Sequence, residues 1–270
     1  FILTYNKSNL VVLPGVPSEM KSMMLNSIIP YIKPLVKEKK YTVKLKTIGI
    51  SESVLANKIS ENISENFSRF IGYYPSAYGV DISVTGVNLR NVQNISEQIC
   101  ALYEKNIYSK NNDSMEKIII SNAIKKNKKI AIAESCTGGL VGSRLTSISG
   151  SSEVYEGGVV SYSNQSKIDI LGVEKNTVDL YGAVSKEVAI EMADKIRKNF
   201  SVDYGLSITG IAGPDGGTDL KPVGLVYIGV SSKEETRAHK FIFKNDSRKL
   251  IKIKSSQAGL NLLRLDLIYG

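Results

Sequence analysis

A serine in a predicted strand-to-helix turn is the residue best placed for chemistry in this chain. The apolar run Lys129–Ala133 predicts a short buried strand, the segment Ala133–Gly139 (AESCTGG) follows it, and a helix is predicted from Thr137 to about residue 147. Such a turn projects a side chain beyond the sheet edge, with helix amides behind it that can stabilise developing negative charge. Ser135 is therefore a candidate nucleophile, with a helix-capping role as the alternative. The candidate oxyanion donors are the backbone amides of Thr137, Gly138 and Gly139.

The group that would activate this serine is unusual. Histidine occurs once, as His239, in an alternating segment that predicts a solvent-facing side chain, so a lysine or a carboxylate is the expected base. Lys167 is predicted in the first turn of a helix, where the helix dipole disfavours a cation, and an exposed surface lysine is the alternative. Cys136 is expected to be a buried structural thiol, with a role as the nucleophile as the alternative. Glu134 is expected either to form an ion pair or to support the site.

Two further polar segments follow predicted strands in the same part of the chain. Residues 161–167 (SYSNQSK) follow a strand predicted at 157–162, and the glycine-rich residues 207–217 follow a strand predicted at 203–209. Glycines allow backbone amides to approach a phosphate, although a tight surface turn explains them equally well. Ligands of open α/β sheets bind beyond the carboxyl ends of the strands. The three loops therefore predict one site, provided that their strands lie side by side in the same direction.

Composition narrows the class of partner. The chain has 35 Lys and Arg against 26 Asp and Glu, a net charge of +9, with basic runs at 37–40 and 125–129 but no interleaved aromatic residues. This pattern predicts solvated lysines or an anionic small-molecule ligand rather than a nucleic acid. No apolar run approaches the roughly 18 residues of a membrane span, so we expect a cytoplasmic protein without membrane contact. Two cysteines and one histidine predict neither a disulfide nor a metal site, and no cofactor is expected.

Element patterns divide the chain into four predicted parts of an α/β protein. Residues 1–40 form a strand, a turn and a helix, which predicts the remnant of an upstream α/β domain. Residues 41–108 predict a small α+β module that ends in a helix over 91–108, and 109–114 predict a linker. Residues 115–270 alternate helices and strands, which predicts a three-layer α/β domain. The apolar face of residues 9–29 needs burial, so we expect a homo-oligomer, a dimer.

The last domain resembles the C-terminal domain of the CinA competence/damage-inducible proteins, which also occurs alone as the PncC-type nicotinamide mononucleotide deamidases. The resemblance extends from about Met115 to the end of the chain. It rests on Ala133–Gly139 (AESCTGG), Gly150–Ser152 (GSS), Tyr162–Lys167 (YSNQSK), Gly182–Ser185 (GAVS), Thr209–Gly217 (TGIAGPDGG) and Lys221–Gly224 (KPVG). Upstream, Leu13–Met20 (LPGVPSEM) resembles the end of the molybdopterin-binding-like domain of CinA, and residues 41–108 resemble its middle module.

The resemblance implies a bacterial amidohydrolase of pyridine nucleotide salvage. It would hydrolyse the carboxamide of nicotinamide mononucleotide to nicotinic acid mononucleotide and ammonia, with Ser135 as nucleophile and Lys167 as base. The implied substrate-binding residues are Tyr162, Asn164, Thr209, Gly210, Ile211, Ala212, Gly213 and Arg248. The motif around Arg248, residues 245–248 (NDSR), is looser than that of the family.

Such a mechanism places a demand on the lysine. An unperturbed lysine has a pKa of about 10.4, so Lys167 must be kept neutral by burial or by a nearby cation. Two other functions remain open from the sequence. One is a non-catalytic nucleotide-binding domain with a regulatory role. The other is an ADP-ribose pyrophosphatase activity that would belong to the upstream domain.

Overall fold

The computed structural model describes residues 2–6, 8–36, 38–244 and 246–270, so Lys37 of the first basic run and Asn245 before Arg248 lie outside the described residues. The strands are β1 (Ile2–Tyr5), β2 (Ser8–Val11), β3 (Tyr41–Thr47), β4 (Ile71–Ser76), β5 (Gly79–Gly86), β6 (Ile107–Ser109), β7 (Ile130–Glu134), β8 (Tyr155–Val160), β9 (Tyr204–Gly210), β10 (Leu225–Ser231) and β11 (Thr236–Ile242). The α-helices are α1 (Pro17–Met23), α2 (Ile29–Ile32), α3 (Glu52–Asn62), α4 (Glu65–Ser68), α5 (Leu89–Leu102), α6 (Met115–Lys126), α7 (Leu140–Thr146), α8 (Asn164–Ser166), α9 (Lys175–Tyr181), α10 (Lys186–Asn199) and α11 (Arg248–Tyr269). A π-helical turn, Lys167–Leu171, continues α8.

The C-terminal part of the chain forms a five-stranded sheet in the order β11-β10-β9-β7-β8. The strand β7 is parallel to both of its neighbours, β8 and β9. At the other side of the sheet, β10 pairs antiparallel with both β9 and β11. Helices α6, α7 and α11 cover one face, and α10 covers the other. The predicted α/β fold class and its three layers are therefore confirmed.

Strand β7 shows how the sequence builds these layers. Successive side chains of a strand point to opposite faces of the sheet. Ile130 and Ile132 belong to the core cluster under α6, α7 and α11, whereas Ala131 and Ala133 belong to the cluster under α10. All four residues are fully buried. Both faces of β7 are thus covered, as its continuous apolar run predicted.

The preceding module is a four-stranded antiparallel sheet in the order β4-β5-β3-β6, with α3 and α5 packed on one face. The helix predicted over 91–108 is too long: α5 ends at Leu102, and Ile107–Ser109 form β6, which pairs with β3. Residues 109–114, predicted as a linker, are ordered by local hydrogen bonds. The Ser109 hydroxyl accepts from the amides of Asn111 and Asp113, and Ser114 caps α6.

A buried charge network joins this module to α7. The Arg144 guanidinium donates to Glu116, Ser256 and Gln257, and it lies 5.2 Å from the centre of the Tyr78 ring in the β4–β5 turn. Gln257 Nε2 in turn donates to the Tyr78 carbonyl at 3.1 Å. The end of α7 is therefore fixed to α6, α11 and the four-stranded module together.

The N-terminal residues expose apolar side chains. In the β1–β2 hairpin and the helical segment after it, Leu3, Tyr5, Leu10, Leu25 and Leu35 are 52%, 72%, 57%, 66% and 56% exposed. An apolar surface of this kind is typical of an interface, so the expected homo-oligomer stays a prediction. Across the described ranges, no helix combines the length and the apolar character that crossing a bilayer requires.

Candidate active site

The parallel strands bring the three candidate loops to one edge of the sheet. Glu134 at the end of β7 is in register with Val160 of β8 and Ile208 of β9. Backbone bonds continue past the strand ends: the Ser135 amide donates to the Ile208 carbonyl at 2.9 Å, and the Ser161 amide donates to the Glu134 carbonyl at 2.8 Å. The condition set by the sequence, that these strands share a direction, is confirmed.

Ser135 and Lys167 meet at this edge. Lys167 Nζ lies 3.0 Å from Ser135 Oγ, 2.8 Å from the Ser161 carbonyl oxygen and 3.5 Å from the Tyr162 carbonyl oxygen. A neutral amine has two N–H donors and one lone pair. As an ammonium, Lys167 Nζ donates to all three oxygens. In the neutral form the two carbonyls can take both N–H bonds, which leaves the lone pair for the Ser135 hydroxyl proton.

Burial sets the protonation of this lysine. Lys167 is 1% exposed, and burial lowers the pKa of its ammonium from 10.5 to about 8. Among the described residues, no carboxylate pairs with Nζ to hold it charged. The alternative of an exposed surface lysine is therefore wrong, and the required neutral form is within reach near pH 7.

The structure also decides the alternatives for Ser135 and Cys136. The residue that caps α7 is Gly139, so the helix-capping alternative for Ser135 is wrong. Cys136 is 5% exposed and packs in the core cluster beside Val141. Burial raises the pKa of its thiol to about 12, so the group stays protonated at neutral pH. Cys136 is thus a buried thiol, as expected.

Residues 136–139 form what we call the nucleophile turn, and the helix after it starts later than predicted. Helix α7 begins at Leu140 rather than at Thr137. Gly138 and Gly139 have φ angles of +60° and +87°, a left-handed conformation that disfavours a side chain. The Gly138 amide already donates to the Ser135 carbonyl at 3.1 Å. It is therefore removed from the candidate oxyanion donors, because its N–H bond is in use.

Thr137 and Gly139 remain candidate oxyanion donors. Within the described part of the chain, neither of their amides donates to a backbone carbonyl. Glu134 supports the turn from below: it is 3% exposed, and its carboxylate accepts from the amides of Val141 and Gly142 at 3.1 and 2.9 Å. Of the two expected roles of Glu134, an ion pair or support of the site, the structure shows the second.

A cleft of about 260 Å³ opens in front of Ser135. Its lining residues are Ser135, Cys136, Tyr162, Asn164, Lys167, Ala183, Val184, Thr209, Gly210, Ala212 and Arg248. Ile211 is not among them; its amide donates to the Leu225 carbonyl, and its carbonyl accepts from the Gly224 amide. Sequence reasoning missed Ala183 and Val184, although the Gly182–Ser185 motif that contains them was a signal that could have found them.

Arg248 spans one side of the cleft. Its guanidinium donates to the Gly213 carbonyl and to the Tyr162 hydroxyl, both at 2.8 Å. Gly213 thus takes part in the site through its backbone carbonyl, which accepts a hydrogen bond from Arg248. Its glycine is required by packing, because an added Cβ would lie 2.5 Å from a Val223 methyl. Packing against Val223 therefore explains the glycine at position 213 without a bound phosphate.

His239 differs from its prediction. It is half-buried in β11, its Nε2 has no hydrogen-bond partner, and burial lowers the pKa of the imidazole. The expectation of a solvent-facing histidine is wrong. Elsewhere in the described ranges, no group of three His, Cys, Asp or Glu side chains is arranged to hold a metal ion.

Comparison with known proteins places this chain in a family. The family model for the CinA C-terminal domain matches residues 112–267. The chain belongs to the CinA family. Its relatives include a putative competence-damage inducible protein of Caldicellulosiruptor saccharolyticus, 37% identical over 99% of this chain and 66% of the relative. Another, from Halothermothrix orenii, is 42% identical over 90% of this chain and 61% of the relative. The chain therefore spans somewhat less than two thirds of these curated CinA relatives.

Solved CinA-superfamily structures match a little over half of the chain. The competence/damage inducible protein CihA from Agrobacterium tumefaciens is 35% identical with a TM-score of 0.55, over 57% of this chain and 93% of that one. A CinA superfamily protein from Escherichia coli is 30% identical with a TM-score of 0.54, over 56% of this chain and 88% of that one. The matched part of the chain therefore has the fold of CinA-superfamily proteins.

Proposed function

We propose that this CinA-family chain is an amidohydrolase that converts nicotinamide mononucleotide to nicotinic acid mononucleotide and ammonia. The observation that carries the proposal is the buried pair of Ser135 Oγ and Lys167 Nζ, 3.0 Å apart at the floor of the cleft. A lysine with a pKa of about 8 is a competent base for a serine hydroxyl near neutral pH. The substrate comes from the family resemblance, and the cleft supports it with a cationic side chain, Arg248, at its edge.

The proposed reaction has two halves. Lys167 takes the hydroxyl proton as Ser135 Oγ attacks the carboxamide carbon, and the C–N bond then breaks as the Lys167 ammonium protonates the leaving nitrogen to ammonia. In the second half, Lys167 deprotonates a water molecule that attacks the acyl ester, which releases the carboxylate and restores the Ser135 hydroxyl. Every proton passes through one amine.

Charge on the tetrahedral intermediate needs donors near Ser135. The amides of Thr137 and Gly139 are the proposed ones, and each donor of this kind is worth about 3 kcal/mol in the transition state. The carboxylate of Glu134 orders the turn that presents them, through its bonds to Val141 and Gly142. Glu134 is thereby a positioning residue in this proposal.

Ammonia release from nicotinamide mononucleotide tests the proposal. Ser135→Ala and Lys167→Met should each reduce turnover by at least about 1000-fold, and the double variant should be little worse than either, since the pair acts as a unit. Cys136→Ala is the matched control, because it changes the neighbouring residue and should leave most activity.

Two outcomes would overturn this function. If the chain binds the mononucleotide without releasing ammonia, the alternative of a non-catalytic nucleotide-binding domain replaces it. If Cys136→Ala is inactive while Ser135→Ala remains active, the assigned nucleophile is wrong.

A further inference from the structure

Residues 181–185, which we call the wall loop, connect α9 to α10 and supply one side of the cleft through Ala183 and Val184. Three successive carbonyls of this loop each accept a hydrogen bond from a side chain. Lys221 Nζ donates to the Tyr181 carbonyl at 2.6 Å, the Ser185 hydroxyl to the Gly182 carbonyl at 2.8 Å, and the Thr209 hydroxyl to the Ala183 carbonyl at 2.8 Å. Side chains, rather than a helix or a strand, therefore fix the path of the wall loop.

Two amides of the wall loop are left without partners. A trans peptide unit is planar, so its N–H points opposite to its C=O. Because the carbonyls of Gly182 and Ala183 are held, the directions of the next amides, those of Ala183 and Val184, are fixed as well. Within the described ranges, neither amide donates a hydrogen bond. Both residues line the cleft, so these two donors are available to a ligand there.

Lys221 holds the wall loop from a separate loop, the one between β9 and β10, and it is not among the residues that line the cleft. A closed turn fixes its backbone: its amide donates to Thr218 Oγ1 at 3.0 Å, and its carbonyl accepts from the Thr218 amide at 2.9 Å. Tyr181 is the last residue of α9, so the ammonium also meets the negative end of the helix dipole.

The β9–β10 loop thereby connects two borders of the cleft. The Lys221 ammonium packs directly on the wall loop, since a Cβ added to Gly182 would lie 2.9 Å from its Nζ. Two residues after Lys221, Val223 packs on Gly213, whose carbonyl accepts from Arg248. The contact of Lys221 thus sets the spacing between the wall loop and the border that carries Arg248.

We infer that Lys221 is a positioning residue, which holds the wall loop and its two free amides at the spacing that binds the substrate. This rests on the proposed function, which supplies nicotinamide mononucleotide as that substrate. The ammonium of Lys221 is bonded to Tyr181, whereas Ser135 and Lys167 are bonded to each other. Loss of Lys221 should therefore weaken substrate binding and leave the bond-breaking step unchanged.

Lys221→Met tests this inference with two measurements. In the ammonia-release assay KM should rise at least about tenfold, because a charge-assisted hydrogen bond is lost, while kcat stays within about threefold. Hydrogen exchange followed by mass spectrometry should be faster in the peptide that spans residues 181–185. Lys186→Met is the matched control: it removes the same charge from an exposed side chain directly after the wall loop, and it should change neither measurement.

The other outcomes each overturn the inference. An unchanged KM would mean that binding does not depend on this contact, and a raised KM with unchanged exchange would mean that Lys221 contacts the substrate itself. A fall in kcat with unchanged KM would place Lys221 in the reaction step.

Failure of the proposed function is distinguishable. If the wild-type chain releases no ammonia, that function fails, and calorimetric titration of nicotinamide mononucleotide into the wild-type and Lys221→Met chains decides the inference. A tenfold loss of affinity together with faster exchange then supports it, and no binding to the wild-type chain overturns both.

Discussion

The pH dependence of ammonia release should report the ionisation of Lys167. Only the neutral amine can accept the Ser135 proton, and burial places the pKa of Lys167 at about 8 instead of 10.5. We therefore expect kcat/KM to rise about tenfold per pH unit below pH 8 and to level off above it. Lys167→Arg should be inactive throughout the range, because a guanidinium in a protein does not release its proton.

The magnitude follows from the burial. With a pKa of about 8, roughly one amine in eleven is neutral at pH 7, whereas an exposed lysine would be neutral in about one molecule in three thousand. The site thus makes the active form roughly 300-fold more abundant, which corresponds to about 3.4 kcal/mol. This stabilisation of the neutral form comes chiefly from desolvation.

Initial rates of ammonia release between pH 6 and 9.5, at low substrate concentration, measure the profile. The substrate phosphate ionises near pH 6, about two units lower, so its contribution is separable. A flat profile, a midpoint near 10.5, or a rate that falls as pH rises from 7 to 9 would refute the assignment of Lys167 as a neutral base.

Three substitutions test stability. Lys167→Met should raise the unfolding free energy at pH 7 by about 1–3 kcal/mol, because below the folded pKa of about 8 the buried ammonium is destabilising; calorimetry should show the difference shrinking between pH 8 and 10.5 as the unfolded lysine also loses its proton. Glu134→Gln should cost about 1.5–3 kcal/mol in urea unfolding, since the two α7 amides donate to different carboxylate oxygens and the NH2 group of Gln would face one of them; an unchanged midpoint would contradict that role. Arg144→Ala should cost about 3–5 kcal/mol by leaving the Glu116 carboxylate buried without its partner, whereas the exposed Arg90→Ala should change stability by less than about 0.5 kcal/mol.

The sequence by itself determined the layers and the place of the site. Local periodicity located β7 and β9 within a few residues, because both strands bury apolar side chains. The polar segments after β7, β8 and β9 were visible as interruptions of that pattern. Where a segment depends on a distant partner the sequence failed: Ile107–Ser109 continued a helical spacing, yet they form β6 because β3 offers an open edge.

Only the tertiary structure decided the chemistry within that site. Ser135 and Lys167 are 32 positions apart, and they meet because β7 and β8 are parallel neighbours that end at the same edge. The pKa of Lys167 and the amide contacts of Glu134 both depend on burial and on packing between separate elements. Residue types and spacing carry no measure of desolvation, so the sequence could require a neutral lysine, but only the fold could show how one is made.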